Sequence, residues 1–78
     1  MVLDIKLDTA KKAADLNTVA TEVPFVMFVH SKDNMAIVDA RSLINLLPLV
    51  GVPCLLVAED DTNPDAFAKA AKRAGVLD

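Results

Sequence analysis

Apolar and polar residues alternate strictly at the start of the chain. In Val2-Leu3-Asp4-Ile5-Lys6-Leu7, Leu3, Ile5 and Leu7 fall on one face and Val2, Asp4 and Lys6 on the other, the period of a strand with one buried side. The period then lengthens. Ala13, Leu16, Ala20 and Val23 recur at spacings of three and four, which predicts an amphipathic helix from Thr9 to Glu22, with Asp8 as its N-cap and Pro24 closing it. Phe25 to His30 is β-rich, Ser31 to Asn34 carries turn chemistry, and Met35 to Ala40 is β-rich again, so these runs predict a hairpin. Ser42 to Leu49 reads as a short apolar helix with Ser42 as N-cap, its side-chain oxygen accepting from an N–H of the first turn. Gly51 and Pro53 punctuate the exit before a strand from Cys54 to Ala58. After a polar loop, Asn63 caps a last helix that starts at Pro64, lays Ala66, Phe67, Ala70, Ala71 and Ala74 inward and stops at Gly75.

The resulting order, β-α-β-β-α-β-α, predicts helices over one face of a largely antiparallel sheet, an α+β open-faced sandwich forming one domain over residues 1–78. Alternation sends Leu3, Ile5, Leu7, Met27, Val29, Val38, Cys54 and Leu56 toward the helices. Val26, Phe28, Ile37, Leu55 and Val57 then point the other way. An outer face this apolar predicts an interface, through which the protein forms a homo-oligomer or binds a protein partner. A bulge in the second strand would instead turn Val26 and Phe28 inward and expose Met27 and Val29.

Composition narrows the function classes. At 78 residues, with no Trp or Tyr, the core is built from Val, Leu, Ile and Ala, near the size at which one core is marginal and association adds stability. The net charge of −3 supplies no basic patch, which argues against nucleic acid as a partner. Cys54 is the single cysteine and sits in an apolar run, the setting of a buried, unreactive thiol. No run approaches the roughly 18 apolar residues of a membrane span, and the first residues lack the apolar stretch of a signal peptide; a cytoplasmic protein with no membrane partner is expected. His30, the only histidine, reads as a solvated side chain at a strand end, and Glu59, Asp60 and Asp61 as a solvated loop. No catalytic residue, metal site or cofactor is expected, and no glycine-rich loop argues for a small ligand.

Val38-Asp39-Ala40-Arg41-Ser42-Leu43 entering a short apolar helix, with Asp65-Ala66-Phe67 opening the last one, resembles the HPr family of the bacterial phosphotransferase system over nearly the whole chain. The likeness is to its divergent members, whose pattern includes an Asp-Ala-Lys/Arg-Ser segment here. The resemblance implies strand order 1-4-2-3. It also implies an active-site His-Ala-Arg-Pro segment between the first strand and first helix, where this chain has Leu7-Asp8-Thr9-Ala10-Lys11-Lys12. Histidine phosphocarrier activity is therefore not expected, and a non-catalytic regulatory or interaction domain is. The alternative is a carrier using a non-histidine acceptor, Thr9 or Ser42. Ser42 matches the family's regulatory phosphorylated serine; read without the resemblance, it is a helix cap. Leu43, Leu46 and Leu47 lie on the helix that docks partners in the family.

Overall fold

The computed structural model describes residues 1–77. Its elements are β1 (Val2–Ile5), α1 (Ala10–Glu22), β2 (Met27–Ser31), β3 (Ile37–Asp39), α2 (Leu43–Leu46), a 3₁₀ turn (Leu47–Leu49), β4 (Cys54–Ala58) and α3 (Pro64–Arg73). The four strands form one antiparallel sheet in the order β1-β4-β2-β3. This is the expected α+β architecture and strand order.

Strand register accounts for the core. Leu3, Leu56, Val29 and Val38 stand side by side across the sheet, as do Ile5, Cys54 and Ser31. Met27, Val29, Cys54 and Leu56 are fully buried beneath the helices, and Leu3 and Val38 pack at the edges of the cluster. No bulge interrupts β2, so Met27 and Val29 face inward. The helical periods also hold: Ala13, Leu16, Val19 and Ala20 of α1 and Phe67, Ala70 and Ala71 of α3 are buried, and the two helices pack against each other. Buried Cys54 has its thiol pushed upward by desolvation, which keeps it protonated and inert.

The termini of the helices show which local signals win. At α3, Asn63 Oδ1 accepts from the N–H groups of Asp65 (2.9 Å) and Ala66 (3.1 Å), and Pro64 occupies the first turn. Gly75, with φ +72°, ends the helix in the left-handed conformation. At α1 the expected cap, Asp8, is corrected: Thr9 has the extended backbone of an N-cap, and its Oγ1 accepts from Lys12 N–H (3.1 Å). Asp8, one residue too early, pairs instead with Lys12 Nζ at 3.1 Å.

The segment after Ser42 also differs from one continuous helix. It is a single α turn followed by a 3₁₀ turn, with Pro48 at the junction. Proline lacks the N–H that would reach back to Ile44, and its ring crowds that carbonyl, so the second turn tightens. The hairpin strands are shorter than the β-rich runs. β2 begins at Met27 and takes in Ser31, while β3 covers only Ile37 to Asp39.

Candidate functional site

Three surfaces carry the residues singled out in the sequence. The first is the entrance to α1. Leu7 is buried and anchors the segment, and Gly51 N–H donates to its carbonyl (2.8 Å). Asp8 and Lys12 pair, Lys11 and Asp15 pair at 2.6 Å, and the Thr9 hydroxyl is engaged as the cap. The Lys12 hydrogen bond holds the Asp8 carboxyl below its usual range, so a carboxylate stands in front of this helix N-terminus at neutral pH. An incoming phosphate there meets a negative charge where an anion site would offer only N–H groups.

The second surface is the turn from β3 into α2. Asp39 grips Arg41 with both carboxylate oxygens, Nε donating to Oδ1 at 3.1 Å and Nη2 to Oδ2 at 2.7 Å, and its Oδ1 also accepts from Arg41 N–H. The guanidinium holds the Asp39 carboxyl below its ordinary range. From α1, Asn17 Nδ2 donates to Ala40 O (3.2 Å), tying the turn to the helix layer. Ser42 is the N-cap residue by position, but its side chain makes no capping bond. That expectation is corrected: the Ser42 carbonyl accepts from both Asn45 and Leu46 N–H, and the hydroxyl of this half-buried residue has no hydrogen-bond partner among the described residues.

Of the apolar side chains beyond Ser42, Leu43 and Leu47 are exposed, and so is Ile44, at 78%. Leu46 is fully buried and so is not available to a partner; with Leu49, three residues on, it plugs the core. Position along a tightening turn decides this. Residues 46 and 49 share the inward side while 43, 44 and 47 look out. Ile44 was missed in the sequence because nearly every position from 43 to 49 is apolar, which erases the periodic signal.

The third surface is the outer face of the sheet. Its two central rows read Val2, Val57, Phe28, Asp39 and Asp4, Leu55, His30, Ile37, each in strand order β1-β4-β2-β3. Phe28, Leu55 and Val57 are half-buried by their neighbours, and Ile37 is 62% exposed. Val26 precedes β2 and lies outside the ladder. His30 does not sit at a strand end; it pairs with Leu55 on one side and Ile37 on the other, within the apolar field.

Among the described residues no three His, Cys, Asp or Glu side chains come together in a way that would hold a metal ion, and no helix is long and apolar enough to cross a membrane. No protein-family model matches the chain, and neither a curated protein nor a solved structure is significantly similar to it.

Proposed function

We propose that this chain is a regulatory or protein-interaction domain related to HPr of the phosphotransferase system, acting in the cytoplasm without histidine phosphocarrier activity and without being an enzyme. The observation that carries the proposal is the ridge of Leu43, Ile44 and Leu47. Apolar side chains stand exposed just beyond the turn that Asn17 ties to α1 and that carries the Asp39–Arg41 pair, and exposed apolar groups on an ordered scaffold mark a contact site. The strand order agrees with that of the family the sequence resembles. The occupied entrance to α1, with Asp8 in front and no imidazole, argues against a phosphoryl relay.

In this reading Ser42 is the regulatory position. A phosphoryl group on its hydroxyl would add about 1.5 to 2 negative charges at the foot of the apolar ridge and compete with Asp39 for Arg41. The alternative, a carrier using a non-histidine acceptor, draws on the same hydroxyl. Incubation with enzyme I and labelled phosphoenolpyruvate separates the two: the interaction domain acquires no label, whereas enzyme I-dependent labelling of Ser42 or Thr9 establishes the carrier. The interaction reading also requires that enzyme I or an HPr serine kinase perturb the NMR signals of Leu43, Ile44 and Leu47. Perturbation confined to other surfaces rejects the ridge.

A further inference from the structure

Independently of that proposal, the outer sheet face has a charge pattern that selects a partner. Alternation continued one residue past each strand adds a row at either end of the two central rows. At one end lie Lys6 and Lys32, on either side of Pro53, whose carbonyl accepts from Lys32 N–H (2.9 Å). These three residues line one open depression of about 420 Å³. At the opposite end the same step gives exposed Glu59 beyond β4 and half-buried Val26 before β2. Lys32 pairs with Asp4 at 2.6 Å, while Lys6 and Glu59 have no ion-pair partner among the described residues. The face is thus apolar in the middle, with an unpaired cation, Lys6, at one end and an unpaired anion, Glu59, at the other.

We infer that two copies of this chain pair through their outer sheet faces about a two-fold axis that lies between the sheets and runs across the strands. Two in-plane axes would stack the sheets face to face in the aligned manner, and charge decides between them. An axis along the strands keeps each row opposite its own kind and sets the lysine end of one copy against the lysine end of the other. An axis across the strands exchanges the ends, so the unpaired Lys6 of one copy comes to the end that carries the unpaired Glu59 of the second. With the axis midway between the two central rows, the same operation brings Leu55 against Val57 and His30 against Phe28. Asp39 and Asp4 enter the rim already paired, with Arg41 and Lys32 of their own copy, so they bring no lone charge.

A second copy fits better than an unrelated protein because the face is complementary to itself at both ends. Its size also sets the strength of the pair. Strand spacing and rise give a face on the order of 500 Å² per copy, at the low end of specific interfaces. The pair is therefore a reversible dimer, loosened by salt because the unpaired charges lie at the exposed rim.

Sedimentation equilibrium of the full chain from micromolar to millimolar concentration tests this, with two charge variants. Lys6→Glu leaves an unpaired anion at both ends and Glu59→Lys an unpaired cation at both. Each alone is expected to dimerise about tenfold more weakly than the wild type or worse, since like charges then face each other, while an equimolar mixture recovers association as a heterodimer. Circular dichroism checks that both variants fold. A wild type that stays monomeric at millimolar concentration overturns the inference and leaves the face to a different partner. A wild-type dimer that neither variant weakens overturns the axis, because an axis along the strands opposes like charges in the wild type and the variants alike.

Discussion

Ser42 and Asn63 occupy the same formal position at two helices and do different things. Asn63 satisfies two backbone donors through its side chain, so Asn63→Ala is expected to lower stability by about 1 kcal/mol, the usual loss of a cap. The Ser42 hydroxyl satisfies none, and Ser42→Ala is expected to fall within about 0.5 kcal/mol of the wild type; urea unfolding of the two variants checks both. A second residue-scale device is the hairpin tip. Ser31, the one buried polar side chain among the described residues, donates from Oγ to Asp33 Oδ1 (2.6 Å) and accepts from Ala36 N–H (3.0 Å). Asp33 also accepts from Met35 N–H, and Asn34 takes φ +62°, a conformation asparagine tolerates better than most residues. The Ser31 hydrogen bond lowers the Asp33 carboxyl from its ordinary 3.8, and Arg41 does the same for Asp39. A carboxyl depressed in the folded state stabilises above its unfolded value and loses that contribution as pH falls through the folded one. Urea midpoints measured against pH should therefore drop below about pH 4, and the drop should be shallower in Asp33→Asn/Asp39→Asn.

At the scale of elements, the turn after Ser42 divides its apolar side chains between two duties, and truncation separates them. Leu46→Ala empties a fully buried site and is expected to cost about 2–5 kcal/mol. Ile44→Ala, at a position 78% exposed, should leave thermal unfolding unchanged while weakening any protein that docks on the ridge. The reverse ranking would put the wrong side of the turn in the core. This division could not be read from the sequence: an amphipathic pattern needs polar residues to mark the wet side, and here only Asn45 does so. The strands were legible because period two is unmistakable where charged residues interrupt it, as Asp4 and Lys6 do in the first run. Where both faces are apolar, as in β2 and β4, alternation still assigned the inward set, but nothing in it located strand ends. For that reason His30 read as a terminal, solvated residue, although it stands in the third pairing of β2 with β3 and the fourth with β4. The cap of α1 was missed by one residue because aspartate and threonine are both good caps, and only the backbone turn decides which carries the role.

For the whole molecule, the sheet order has a consequence in time. β4 stands between β1 and β2, so the strand made last by the ribosome is the one that joins the others. Val2 waits for Val57, and Met27 waits for Ala58; until Cys54 to Ala58 emerges, the only sheet pairing open to the chain is the short β2–β3 hairpin, which is marginal alone in water. Closing the long β1–β4 loop costs chain entropy before any contact returns it. A nascent chain halted after Gly51 should therefore show the circular dichroism and amide exchange of an unfolded polypeptide, and a separate peptide spanning Val52 to Asp78, added to it, should restore the sheet. Native-like protection in the halted chain alone would reject this order of events. The keystone of this fold arrives after the stones it locks, so birth and folding are separate events for this protein, and the interval between them is the period in which a chaperone or a protease can intervene.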